Sequence, residues 1–274
     1  MSIPCWVISL DPTAPTASAL GQSLADQDVE YRFIPAVDGR QQPPLLEGKE
    51  VLDARKALLR HGRLLRGAEL GCYLSHYRAL QRAWDEGLER VCLMEDDVGL
   101  EADFSRVLAG IEALPDDVEF VRLMALRIRS RKILSLLSGC DRHRLVRPER
   151  GWCGTQGYVV NRAGMRKILD TAWRIYEPID KFYDHFWEYD LRHFGVEPHV
   201  IFEHEHASSI RHSKTRALLT PKPLPLPAWL LWLLSPLERL SFSRSRHWYL
   251  KAHADEFYPA ELPVERMGQT LRMH

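Results

Sequence analysis

Three carboxylates, Glu95, Asp96 and Asp97, stand side by side directly after the apolar run Val91-Cys92-Leu93-Met94. Adjacent acids repel one another unless a cation or a ring of donors compensates them. Oxygen ligands of this kind suit a hard divalent ion, which substrate phosphates commonly share. A solvated acidic turn is the competing reading of any such triplet. Here the buried strand in front of it brings the site reading level with that one, because perturbed acids cluster where chemistry is done.

The elements around the triplet say how it is positioned. Tyr73, Tyr77, Leu80 and Trp84 recur at helical spacing and predict a helix with one buried face, stopped by Gly87. The run that follows is apolar at every position, as in a central strand covered on both faces. Upstream, Trp6–Leu10 reads as a strand, Thr16–Asp26 as a helix and Tyr31–Pro35 as a second strand, the opening of a parallel sheet. Residues 41–67 read as a surface excursion with a helix over Val51–Arg60. Then come a helix over Phe104–Leu114, a strand over Phe120–Ala125, a glycine-rich approach to a strand at Gly154–Asn161, a helix from Arg162 towards Ile175, and a last strand at Val196–Phe202. Of Tyr183, Phe186, Trp187 and Tyr189, at least half are expected in the core. The order is that of an α/β fold, in which ligands sit outside the carboxyl ends of the strands.

Length and composition fit one sizeable core with an appendage: 274 residues, with 37 basic and 37 acidic side chains, so the net charge indicates no partner. Locally the balance differs. Arg127–Arg150 is basic and is expected to be a solvated loop, with an anionic acceptor or lipid as the alternative. Aromatics are not interleaved with these charges, which argues against nucleic acid. The five cysteines (5, 72, 92, 140 and 153) show no CxxC spacing, so neither a zinc site nor a disulfide framework is predicted, and free thiols fit a reducing compartment. The N-terminus, MSIPCWVISLD, does not read as a leader peptide, and no run reaches the roughly twenty apolar residues of a membrane span. Pro221–Pro227 reads as a stiff linker. Ala228–Leu240, rich in Trp and Leu and followed by basic residues, reads as a helix lying in a membrane interface, with docking on the core as the alternative.

Residues 70–104 resemble the signature of glycosyltransferase family 25, the lipooligosaccharide galactosyltransferase family. Gly71, Cys72, Ser75 and His76 match its Gly-Cys-x-x-Ser-His helix, and Glu95, Asp96 and Asp97 its strand-end acids. The likeness extends from Val7 to Ile210: Val7–Leu10 and Ala36–Gly39 match its first strand and its Ala-x-Asp-Gly element, Gly154–Tyr158 its Gly-x-x-x-Tyr strand, and Pro178 and Asp180 its Pro-x-Asp motif. Asp11–Pro15 replaces arginines usual in the family, and Ser9 a usual Asn.

The resemblance implies a GT-A-like single Rossmann-type α/β domain with a mixed, mostly parallel sheet over residues 1–220. A proline-rich linker and membrane-associating helical tail would occupy 221–274. It implies inverting transfer of galactose from a UDP-sugar donor to a lipooligosaccharide or lipopolysaccharide core, assisted by Mn²⁺ or Mg²⁺, at the cytoplasmic face of a bacterial inner membrane. The expected metal ligands are Asp97 with Glu95, and one of His204 and His206, which alternate so that only one faces a given site. The expected donor contacts are Ser9, Asp38, Ser75, His76, Glu95, Asp96 and Gly157, the last letting backbone pass close to the sugar. Asp38 is equally readable as a turn residue. Asp180 is the expected general base, with Asp184 one turn later as its rival and helix capping as the alternative. A metal-dependent phosphohydrolase and a degenerate binding scaffold are the competing functions.

Overall fold

A computed structural model describes residues 2–127, 129–203, 228–253 and 264–265. Its centre is β4 (Arg90–Glu95), whose side chains alternate between two cores. Val91 and Leu93 face a layer built by α3 (Gly67–Asp85), α5 (Arg162–Ala172) and α6 (Ile179–Asp184). Cys92 and Met94 face a layer built by α1 (Pro15–Ala25) and α4 (Phe104–Glu112). The strand is therefore covered on both faces, as its apolar run requires.

β1 (Cys5–Ser9) pairs in parallel with both β4 and β2 (Tyr31–Pro35). On the other side of β4 lies β9 (Gly157–Asn161), antiparallel to it, then β6 (Phe120–Arg122) and β11 (His193–Glu197). The hairpin β7 (Arg131–Leu136) and β8 (Arg144–Pro148) follows, with β13 (Val264–Glu265) at the edge. Six of these nine strands run one way, and β8, β9 and β13 run against them. Small ribbons join β3 (Val51–Leu52) to β10 (Arg174–Ile175), and β5 (Val98–Leu100) to β12 (Ile201–Glu203). Helix α2 (Ala54–Arg60) lies in the excursion. Gly87 stops α3 in the left-handed region, φ 75°, where glycine carries no Cβ penalty.

Three expectations change. Residues 131–148 form a β-hairpin of the main sheet: Arg131 is buried against Glu197 at 2.6 Å, and Arg147 reaches the His253 carbonyl at 2.7 Å. Pairs such as Ile133–Val146 carry the strand pattern, which the intervening arginines mask. The strand expected over Val196–Phe202 is two strands in different sheets, because the chain leaves the main sheet at Pro198, which has no N–H for the ladder. The tail helix, α7, runs from Ala228 to Ala252 with Pro236 inside it, twice the expected length. Phe242 and Tyr249 dock it on the domain, on His185, Trp187 and Phe186. Among the described residues no helix is long and apolar enough to cross a membrane. The linker, residues 221–227, lies outside them.

Candidate functional site

At the carboxyl end of β4 a cleft of about 150 Å³ is lined by Asp38, Cys72, Ser75, His76, Glu95, Asp96 and Asp97, among others. Glycines bring its walls together. A Cβ on Gly71 would stand 2.5 Å from the Val37 carbonyl oxygen, and one on Gly39 would strike the backbone of Gly67. The 37–39 loop therefore lies directly on α3. Ser75 fastens it, accepting from the Val37 amide at 2.8 Å and donating to the Gly71 carbonyl at 2.7 Å.

Each acid is held differently. Glu95 accepts a hydrogen bond from Thr155 and faces His76 Nε2 at 3.3 Å. Burial pushes its pKa up, and the His76 and Thr155 contacts outweigh this, leaving it below the usual carboxylate value. Asp96 accepts from the Ser9 hydroxyl, which also receives the Asp11 amide. Burial, with the Glu95 and Asp11 charges, still holds Asp96 above its ordinary value. Asp97 is pushed up to about 7 by burial and by the charges of Glu95, Asp96 and Glu203. Its Oδ1 is buried with no hydrogen-bond partner. An orphaned oxygen among repelling carboxylates is the donor set a hard cation fits.

Sulfur and nitrogen also approach this point, since one donor atom each of Cys72, His76 and Glu95 lies within 4.8 Å of the others. His76 is already engaged on both ring nitrogens, and burial raises the Cys72 thiol well above its ordinary value, so this trio does not suit a hard ion. Cys72 has another meaning: after burial, the charges acting on its thiol include those of Glu95, Asp180 and Asp97. Asp180 is not among the residues that line the acid cleft, and its charge acts on the Cys72 thiol in the cleft wall. It sits in the first turn of α6, behind Pro178, and does not cap the helix.

Asp184 does not join it. Its carboxylate is buried, holds Arg122 at 2.9 Å and accepts from the Cys153 amide, which corrects its expected role as a rival base. Gly157 opens β9 beside β4. A Cβ there would lie 2.4 Å from the tip of the Ile201 side chain, so β9 packs closely against β12 at this point. His204 and His206 lie outside the described residues. Four residues not assigned to the site from sequence belong to it: Cys72, Thr155, Tyr158, whose hydroxyl meets His76 Nδ1 at 3.0 Å, and Glu203, which is bonded to Gln156 at 2.7 Å. Thr155 and Tyr158 belong to the Gly154–Tyr158 motif, which gave their signal.

A mixed α/β sheet with clustered acids lining a narrow cleft at a strand end fits a GT-A-like glycosyltransferase domain. The family model described as glycosyltransferase family 25 (LPS biosynthesis protein) matches residues 2–183, about two thirds of the chain. The chain belongs to glycosyltransferase family 25. It is 28% identical over 208 residues to procollagen galactosyltransferase 1 of Danio rerio, covering 66% of this chain and 33% of the relative. It is 28% identical over 219 residues to inactive glycosyltransferase 25 family member 3 of Homo sapiens, covering 70% and 35%. It is 27% identical over 169 residues to the lacto-N-neotetraose biosynthesis glycosyltransferase LgtB of Neisseria gonorrhoeae, covering 60% and 59%. The chain thus spans about a third of the length of the two vertebrate relatives.

Proposed function

We propose that the chain transfers galactose from UDP-galactose to a hydroxyl of a lipooligosaccharide or lipopolysaccharide core, with inversion at the anomeric carbon. The observation that carries this reading is the Asp97 carboxylate, whose buried Oδ1 lacks a partner beside Glu95 and Asp96. The names of the fish and gonococcal relatives, galactosyl transfer in one and glycan assembly in the other, support the donor and the acceptor class.

Asp97, with Glu95 or Asp96, would hold Mn²⁺ or Mg²⁺. A bound ion of this kind supplies Lewis-acid stabilisation of the charge developing on the departing nucleoside diphosphate. Asp38 and the loop that Ser75 fastens face the nucleotide, and His76 keeps Glu95 ionised. Asp180, in the first turn of α6, takes the proton of the acceptor hydroxyl. That oxygen bonds to the anomeric carbon as the bond from the carbon to the phosphate oxygen breaks, and UDP leaves with the electron pair. No covalent nucleophile is needed. The acceptor class fits peripheral contact with an anionic membrane, made by the tail.

Calorimetric titration with UDP-galactose, UDP-glucose and UDP-N-acetylglucosamine, each with Mn²⁺ and with chelator, tests the reading. Metal-dependent binding that favours UDP-galactose is expected. Folded protein that binds none of the three would overturn it. A binding-only role or a phosphohydrolase would then remain, in a family that includes a human member described as inactive.

A further inference from the structure

Two basic stretches far apart in the chain meet in a second cleft, of about 710 Å³, which shares no lining residue with the acid cleft. Arg129 and Arg150 reach it from the two ends of the β7–β8 hairpin, and Arg246, His247 and Lys251 from α7. Glu149, its one lining acid among the described residues, is engaged by the Ser130 hydroxyl. Arg129, Arg150, Arg246 and Lys251 form no ion pair among the described residues. Burial and the neighbouring Arg150 and Arg129 charges pull the pKa of Arg246 down, so the cations strain against one another. Clustered cations of this kind are relieved by an anionic ligand.

The outer face of α7 says where that ligand lies. Leu240, Arg244, Trp248 and Lys251 recur at helical spacing on the face opposite the docked Phe242 and Tyr249. Leu240 and Trp248 are 55% and 63% exposed, and Lys251 lies 5.2 Å from the Trp248 ring. Exposed Trp and Leu interleaved with cations form the pattern of a helix resting in a bilayer interface. We propose that the cleft of Arg129, Arg150 and Arg246, together with the Leu240–Trp248 stripe, binds the phosphate headgroups of an anionic lipid surface. This deepens the membrane contact proposed above and does not depend on the donor chemistry.

The test is co-sedimentation of the full chain with phosphatidylglycerol and with phosphatidylcholine vesicles. Binding to the anionic vesicles alone is expected. Arg150→Ala with Arg246→Ala should weaken it about 25-fold, or roughly five-fold for each surface cation removed. The charge-matched control, Arg106→Ala with Arg166→Ala, should change it less than three-fold. Lys251→Glu, at an exposed position, gives the same readout should the arginine pair fail to fold. Equal losses in the two pairs, equal binding to both vesicle types, or binding of inorganic diphosphate without binding of vesicles would each overturn the proposal. UDP-galactose titration in the absence of lipid reads the acid cleft separately, so failure of one site leaves the other judged on its own result.

Discussion

The ring of His76 links the acid cluster to the core: its Nε2 lies 3.3 Å from Glu95 Oε1, while its Nδ1 meets Tyr158 Oη, which in turn lies 2.9 Å from Tyr183 Oη. His76→Phe keeps the volume and removes both contacts. Burial of Glu95 would then be opposed by Thr155 alone, and its proton affinity should rise. The expected outcome is donor binding at least ten-fold weaker at pH 7, recovering as pH rises. The Tyr158 hydroxyl keeps Tyr183 but loses its imidazole partner, which should cost about 0.5–1.5 kcal/mol in urea unfolding. An unchanged pH profile of donor affinity would show that Glu95 takes no part in the site.

Asp97 should trade stability for function. Its pKa, raised to about 7 against an ordinary 3.8, means that the folded chain holds this proton more tightly than the unfolded chain does. The penalty is absent below the unfolded value, grows as pH rises, and is complete above about 7. Asp97→Asn should therefore be more stable than the parent at pH 8 without metal, by up to about 4 kcal/mol, and nearly equal to it near pH 4. The same substitution should abolish metal-dependent binding of the UDP-sugar. Melting curves at the two pH values, beside calorimetry, check both halves, and normal turnover by the variant would remove the metal assignment.

Asp180 and Asp184 stand one turn apart and should fail in different ways. Asp184→Ala leaves the Arg122 guanidinium buried without its carboxylate, a change of about 3–5 kcal/mol in stability. Asp180→Asn should keep the parent melting temperature and donor affinity while the transfer rate falls about 10²–10⁴-fold. If Asp180→Asn turns over normally, the base is another residue.

How much of this was legible depends on how local each signal is. The acid triplet, the covered strand before it and the face of α3 that carries Tyr73 and Tyr77 follow from period and composition over a few residues. Asp184 could not be separated from Asp180 in the same way, because its partner Arg122 lies 62 positions away on another strand. Glu203 joins the site only through β12, which turns back to pair with β5. In the β7–β8 hairpin, arginines that pair with Glu197 or a backbone carbonyl read as solvated when those partners are out of view. The excess of positive charge there was legible, but its meeting with α7 was not.

His193 gives a pH dependence separate from the acid cleft. Its ring packs between Phe120 and Phe186, at 5.2 and 5.0 Å, and neither nitrogen has a hydrogen-bond partner. Burial, and after it the charge of Arg122, hold its pKa well below the ordinary 6.5. The native ring is therefore neutral, whereas the unfolded ring takes up a proton below pH 6.5. The contribution to stability is complete above that value and is lost as pH falls towards the folded pKa. This one group should remove about 1 kcal/mol between pH 6.5 and 5.5 and up to about 1.4 kcal/mol per unit below that. His193→Phe keeps the aromatic packing and has nothing to protonate, so its acid limb should be flatter than the parent's by that amount. At neutral pH it should be no less stable, because two buried nitrogens without partners have been removed. Urea midpoints of both proteins at pH 7.5, 6.5, 5.5 and 4.5 decide the matter: parallel curves would mean that the imidazole is protonated, or reaches water, in the native state.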